Sequence, residues 1–109
     1  MEKLKTPKQI ERHIKGVANH RRIQILLLIA DSEGITLDEI IEKVEANPKT
    51  IGEHTRRLHN AGLVEKNYNG RFIQLSLSPY GKIFIKFIKE FQKYHYSKWQ
   101  TNKLEFVGL

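Results

Sequence analysis

Residues 47–77 combine a short amphipathic helix, a glycine that ends it, and two alternating runs joined by Asn69-Gly70. Asn47 is a good N-cap, and Pro48 suits the first helical position. Gly62 follows the last turn of this predicted helix, where glycine commonly ends helices. An Asn-Gly pair between alternating runs is a strong signal for a β-hairpin. The segment therefore predicts one helix followed by a two-stranded ribbon.

The predicted helix has two chemically different faces at 3.6 residues per turn. Ile51, Thr55 and Leu58 form an apolar stripe, which Leu63 continues beyond the helix. The opposite face is polar and partly basic, and a helix of this kind fits the major groove of DNA. The candidate DNA contacts on this helix are Lys49, Thr50, Gly52, Glu53, Arg56, Arg57 and Asn60.

Cap residues and apolar periodicity predict four further helices. The third of the five is acidic on its outer face, and a tight connection at 46–48 joins it to the basic helix, as in a helix-turn-helix. Gly16 is expected to break the first helix, and Ile35 to form a very short strand. The N-caps expected for these helices are Thr6, Asn19, Thr36 and Ser78, with Gln9 and Glu39 completing capping boxes.

The ribbon carries a register prediction. With Asn69-Gly70 as the two turn residues, Val64 pairs with Leu75 and Lys66 with Ile73. One face of the second strand is then apolar and covers the core. The residues on that face are Ile73, Leu75 and Leu77.

These elements predict an α+β, mostly helical chain. The architecture is a winged helix-turn-helix with a two- to three-stranded wing sheet and a long C-terminal dimerisation helix. A length of 109 residues suits one core. The expected organisation is an N-terminal helix at 1–18, the winged domain at 19–78, the dimerisation helix at 79–100 and a tail at 101–109.

Apolar residues recur every three or four positions along the last predicted helix, which forms an a/d seam. Such a seam either closes the core of its own subunit or pairs with its twin, and we expect pairing in a homodimer. A twofold dimer would set two recognition helices ~34 Å apart on a palindromic site. The expected interface residues are Tyr80, Ile83, Phe84, Phe87, Ile88, Phe91 and Tyr94.

Net charge is +7, which favours a polyanion as partner. Residues 1–22 hold seven Lys/Arg against two Glu, whereas residues 31–46 hold six acids against one Lys. The absence of cysteine excludes disulfides and thiolate metal sites. The charged N-terminus shows no signal peptide, and the longest apolar run, 25–30, is too short to cross a bilayer. We therefore expect a cytoplasmic location and no membrane partner.

The chain resembles the ArsR-like winged-helix transcription regulators from Val17 to Leu77. The matching stretches are NHRRIQIL at 19–26 and NPKTIGEHTRRLHNAGLV at 47–64, and LSPYG at 77–81 is similar to MarR-type regulators. The resemblance implies a DNA-binding homodimer that a metal or small ligand often releases from DNA. The family's cysteine motif is absent from 37–41, and the last helix offers only Glu90 and His95 as ligands. The resemblance therefore does not imply that this chain senses the family's effectors, and its own effector is unknown.

Arg56 and Arg57 are the first choice for DNA contacts because arginine binds guanine bidentately or a phosphate. Lys49 and Thr50 lie in the first helical turn, which favours phosphate. Glu53 has three possible roles: accepting from cytosine, repelling phosphates, or pairing with Arg57 at i+4.

Two further sets of residues are weaker candidates. Arg71 and Asn69 at the wing tip are expected to enter the minor groove. Arg21 and Arg22 are candidates for weak phosphate contacts, although one of them is expected to pair with the acidic third helix.

Five histidines are present, but none has the spacing of a metal site, and no catalytic triad or phosphate loop is evident. We expect no catalysis, cofactor or metal. The expected function is sequence-specific binding of double-stranded DNA by a homodimeric regulator. The alternatives are a winged helix that serves as a protein-interaction module, and RNA or non-specific architectural DNA binding.

Overall fold

The computed structural model describes residues 3–94, which form five helices and a three-stranded antiparallel sheet. This arrangement confirms the predicted mostly helical winged helix-turn-helix. The elements are α1 Pro7–Val17, α2 His20–Asp31, β1 Ile35–Thr36, α3 Leu37–Val44, α4 Pro48–Asn60, β2 Val64–Asn69, β3 Phe72–Leu77 and α5 Pro79–Lys93.

Each helix begins at the cap residue that the sequence indicates. Both capping boxes form: Thr6 accepts a hydrogen bond from the Gln9 amide at 3.2 Å, and Thr36 accepts one from the Glu39 amide at the same distance. Such caps are worth about 1 kcal/mol each because they satisfy amides that the helix leaves unpaired. The five N-caps are Thr6, Asn19, Thr36, Asn47 and Ser78.

Gly16 does not break α1, so that prediction was wrong. The helix continues through it to Val17. A Cβ at Gly16 would lie 2.1 Å from Cβ of Ala61, at the end of α4. Glycine is therefore present because α1 and α4 approach closely here, and the local sequence carries no sign of that contact.

The sheet has the order β1-β3-β2, and the predicted hairpin register was wrong by two residues. Val64 lies opposite Leu77 rather than Leu75. Gly70 and Arg71, not Asn69 and Gly70, occupy the turn, with Gly70 at a φ of +63°. Glycine at the first turn position suits a type II′ hairpin. A shift of two residues keeps each side chain on its face, so the predicted core face survives.

The core forms around α2, whose Ile25, Leu26 and Ile29 are fully buried. Thr55 is also buried, and its hydroxyl donates to the Gly52 carbonyl at 2.8 Å, which satisfies the hydrogen-bonding capacity of the hydroxyl inside an apolar stripe.

Within residues 3–94 no helix has the length and apolar character that a membrane span requires. This holds although the core is strongly apolar. The buried core is completed by Val17, Ile35, Ile40, Val44, Ile51, Leu58, Ala61, Leu63, Val64, Leu75, Leu77 and Ile85.

Candidate nucleic-acid interface

The turn between α3 and α4 sets the angle at which α4 leaves the core. Glu45 ends α3 in the left-handed region, with a φ of 53°, and Asn47 then caps α4 by accepting from the Lys49 amide at 2.9 Å. Because Ile51, Thr55 and Leu58 are buried, α4 is fixed by one face. Its other face is therefore free to contact a partner.

The candidate contacts on α4 lie on that free face. Gly52 is half-buried, at the border of the two faces, and the others are exposed. The sequence assigned these faces correctly, whereas their role in binding DNA stays a prediction. The exposed residues of this set are Lys49, Thr50, Glu53, Arg56, Arg57 and Asn60.

One carboxylate sits between two guanidinium groups on this face. Arg56 Nε donates to Glu53 Oε2 at 3.1 Å, and Arg57 Nε lies 3.6 Å from Glu53 Oε1. The hydrogen bond from Arg56 lowers the pKa of Glu53, and the same bond raises the pKa of Arg56. The pair with Arg57, one of the three roles considered for Glu53, is present, and the pair with Arg56 was not predicted. Exposed pairs of this kind contribute little, so both guanidiniums are available for exchange with another anion.

Arg22 lies behind α4 rather than on the acidic helix α3. Its Nη1 is 3.3 Å from Nδ1 of His54, and its Nη2 donates to the Lys15 carbonyl at 3.4 Å. Within residues 3–94 neither Arg21 nor Arg22 forms an ion pair with α3, so that expectation was wrong. Arg22 instead connects the end of α1 to α4, and Arg21 donates to Gln24 at 3.1 Å.

His54 is partly buried and packs beside Arg22. Burial lowers its pKa, and the nearby charges of Arg22, Arg57 and Arg21 lower it further. Because a guanidinium only donates, the Nδ1 of His54 accepts from Arg22, which places the imidazole proton on Nε2.

The wing tip is exposed at Asn69 and Arg71, as expected. Arg71 occupies the turn itself, which follows from the corrected register. Tyr68 and Phe72, on either side of the tip, are 73% and 51% exposed. Phe72 is adjacent to the inward-facing Ile73, so it belongs to the outer face of β3, and it was not among the predicted DNA contacts.

The candidate interface also has a side on α1 that was not predicted. Arg12 and Lys15 of α1 line an open groove of about 300 Å³ together with Arg56, Arg57 and Asn60 of α4. The only signal in the sequence was the basic composition of residues 1–22, which does not say where those charges lie. The charged surface of α4 thus continues onto α1.

The seam of α5 is mostly uncovered in the single chain. Ile83, Phe87 and Phe91 are 65%, 57% and 69% exposed, whereas Phe84 and Ile88 pack partly against the core. An open apolar groove of about 490 Å³ runs between α2 and α5 beside Ile23. The subunit therefore uses only part of the seam, and Tyr80 and Tyr94 are exposed with the rest.

No three His, Asp or Glu side chains within residues 3–94 are grouped so as to hold a metal ion. His95, the end of the expected helix at 79–100 and the tail at 101–109 lie outside the described residues.

Comparison with known proteins supports the resemblance seen in the sequence. Residues 19–66 match the sequence model of the bacterial regulatory protein, arsR family. The transcriptional activator HlyU of Vibrio cholerae serotype O1 is 29% identical over 65 residues, which are 60% of this chain and 59% of HlyU. The match thus spans about three fifths of that relative.

Solved structures share the fold. The structure of HlyU from Vibrio cholerae aligns at a TM-score of 0.71 and 24% identity over 77% of this chain and 91% of HlyU. The homodimeric winged helix-turn-helix DNA-binding domain Mb0332 of Mycobacterium bovis aligns at 0.73 and 24% identity over 88% and 94%. MarR aligns at 0.68 and 23% identity over 89% and 70%.

Proposed function

We propose, from the premise that the chain is an ArsR-like winged helix-turn-helix protein, that it is a transcriptional regulator that binds a specific palindromic DNA site as a homodimer. One observation carries this proposal. The exposed face of α4 presents Arg56 and Arg57, whose ion-pair partner within residues 3–94 is the exposed carboxylate of Glu53, while the opposite face is buried. A cationic helix fixed from behind is suited to the major groove.

The chemistry along α4 suggests a division of roles. Lys49 and Thr50 at its start are placed for a phosphate, because the first turn of a helix favours an anion. Arg56 and Arg57 reach base edges or the adjacent phosphates. Arg71 at the wing tip is then a contact to the minor groove beside the site.

The uncovered seam of α5 supports a homodimer. Apolar side chains as exposed as Phe87 and Phe91 are stabilised when a second copy covers them. Mb0332, which shares the fold, is a homodimer. A twofold dimer would present its two α4 helices to successive major-groove segments of one DNA face. Such a regulator is expected in the cytoplasm.

Selection of bound fragments from a random pool of duplexes tests the proposal. We expect a palindromic consensus, and light scattering should give the mass of a dimer. If each subunit neutralises roughly four phosphates, log affinity should fall with log salt at a slope near ~ −7. Equal binding of all fragments, or an affinity that salt does not change, would contradict sequence-specific recognition.

Substitution of the two arginines locates the site. Arg56→Ala and Arg57→Ala should each weaken operator binding roughly 5- to 150-fold if the side chains contact bases. Lys82→Ala with Lys86→Ala, on the exposed surface of α5, is the control and should change operator affinity less than about twofold. Full operator affinity in the arginine variants would remove α4 as the recognition helix.

A protein-interaction module is the second candidate, and the acidic surface of α3 favours it. Asp38, Glu39 and Glu42 are exposed there, and negative charge is unsuited to phosphates. This candidate predicts a monomer that does not bind any duplex. Equal affinity for operator and scrambled duplexes would instead indicate the architectural alternative.

A further inference from the structure

We propose that the groove between α1 and the C-terminal half of α4 is a second phosphate-binding site, in which Arg12 and Lys15 hold the DNA backbone beside the bases that α4 contacts. The inference rests on the proposed function, which it deepens by adding a helix to the DNA-binding surface. The ligand class is a phosphodiester, and its source is the same duplex that α4 binds.

The groove concentrates positive charge. No lining residue is acidic, and a neighbouring hollow of about 250 Å³ extends it towards Lys5 with the same character. The nearest carboxylates belong to Glu11, 3.7 Å from Lys15 Nζ, and to Glu53 on α4. Within residues 3–94 Arg12 forms no ion pair. The residues lining the groove are Arg12, Lys15, Gly16, Arg56, Arg57, Asn60 and Ala61.

The fold places these cations together by fixing α1 against the end of α4. Because Gly16 has no side chain, the two helices can meet at Ala61; a Cβ added at Gly16 would lie only 2.1 Å from Cβ of Ala61. His13 donates from Nδ1 to the Ala61 carbonyl at 2.6 Å, and its ring lies 4.7 Å from that of Tyr80. Arg12 and Lys15 are thus carried by an anchored helix.

A polyanion is the partner that these charges favour. The four cationic side chains have only the exposed carboxylates of Glu11 and Glu53 as ion-pair partners within residues 3–94, so a net positive charge remains, and an anion in the groove reduces the repulsion among them. Arg56 and Arg57 line the groove and are also exposed on the outer face of α4, so a phosphate in the groove would lie on the surface proposed to face DNA. The groove is open to solvent along its length, which suits a strand that passes through better than an enclosed small molecule.

The test is a salt titration of DNA affinity with the double variant Arg12→Gln/Lys15→Gln. Both side chains are exposed, so the variant should fold normally. If each subunit loses two phosphate contacts, the log–log slope of the dimer should become less steep by about 3.6. Affinity at 100 mM salt should fall roughly tenfold or more, equally for operator and scrambled duplexes, because phosphate contacts carry no sequence information.

Two control variants distinguish a direct phosphate contact in the groove from the effect of the overall positive charge of the protein. Lys82→Gln/Lys86→Gln removes the same charge from the surface of α5 and should leave the slope nearly unchanged. Arg12→Lys/Lys15→Arg keeps the charge in the groove and should retain the wild-type slope. A groove variant that matches the wild type, or a control that loses as much as the groove variant, would overturn the proposal.

Inorganic pyrophosphate at constant ionic strength distinguishes a free anion from the DNA backbone. Calorimetric binding that the groove variant lacks, together with unchanged DNA affinity of that variant, would assign the groove to a free phosphate compound and overturn the proposal. A wild-type protein that binds no duplex would overturn the proposed function itself. A wild-type protein that binds its operator while the groove variant does so equally well would overturn this inference alone.

Discussion

Glu53 accepts a hydrogen bond from Arg56, its neighbour one turn along α4, at 3.1 Å between Oε2 and Nε. A guanidinium bound in this way must exchange its carboxylate partner when it contacts DNA. If the protein binds DNA as proposed, the acid opposes binding to any duplex, and that opposition is overcome only where the released arginine finds a well-placed base or phosphate. We therefore predict that Glu53 acts as a filter between correct and incorrect sites.

Glu53→Gln should consequently bind DNA more tightly and less selectively. We expect affinity for scrambled duplexes to rise roughly fivefold and the ratio of operator to scrambled affinity to fall, because one negative charge leaves the surface facing phosphates. Fluorescence anisotropy with both duplexes at one salt concentration measures this ratio. Glu90→Gln, an exposed carboxylate on α5, is the matched control and should leave the ratio unchanged. An unaltered ratio for Glu53→Gln would show that the acid is a passive surface charge.

The partial burial of His54 beside Arg22 should make the free energy of unfolding depend on pH. The pKa of His54 is lowered in the folded protein below its ordinary value of 6.5. As pH falls, the unfolded chain therefore takes up a proton at His54 more readily than the folded chain does. The contribution of His54 to the free energy of unfolding is complete above pH 6.5 and is lost as pH falls below that value. Urea unfolding at steps between pH 7.5 and 5 should show stability declining towards acid.

His54→Gln should flatten that decline, because glutamine has no proton to bind in this range. His59→Gln is the control, since His59 is exposed on the same helix. It should leave the pH profile of the wild type in place. Identical profiles for the wild type and His54→Gln would mean that other groups cause the decline.

Local signals predicted most of the fold. All five helix starts were marked by cap residues, and the faces of α4 followed from the spacing of Ile51, Thr55 and Leu58. These features depend on residues within one or two turns of each other, so they are legible in the sequence. The short strand at Ile35 was also predicted, and it is confirmed because Ile35 pairs with Leu75 of β3.

The predictions that were wrong all concern contacts between segments that are distant in the sequence. Gly16 looked like a helix breaker because its partner, Ala61, is 45 positions away. The hairpin turn was misplaced because Asn69-Gly70 and Gly70-Arg71 both satisfy turn chemistry, and pairing along the whole ribbon decides between them. Either Arg21 or Arg22 was expected to pair with the acidic helix, since the sequence gives the charge of a side chain but not the direction in which it points. The role of Arg12 depends on the same close contact between α1 and α4.

The contact of Gly16 with Ala61 gives a stability prediction of definite sign. Gly16→Ala inserts a methyl group where only 2.1 Å separates it from another Cβ, so α1 must move away from α4. We expect a loss of about 1–3 kcal/mol in the free energy of unfolding, as for other overpacked sites. Gly52→Ala is the control, because a Cβ there meets nothing within 4 Å, and it should stabilise α4 by about 0.5–1 kcal/mol. The close packing of the two helices is refuted if both variants stabilise the protein.

The seam of α5 gives a prediction about assembly. Phe87 is 57% exposed and packs edge-on against Phe91 with ring centroids 5.3 Å apart, so a charge at this position faces the surface that a second copy would cover. Phe87→Glu should give a monomer by light scattering at micromolar concentration and should lose operator affinity, because one subunit makes only half of the contacts. The fold should persist, since the core does not include Phe87.

Tyr68→Glu is the control for this prediction. It places the same charge at another exposed aromatic residue, on the wing, and the protein should remain a dimer. A Phe87→Glu dimer would place the twofold axis elsewhere on the subunit, and a monomeric Tyr68→Glu would place it at the wing.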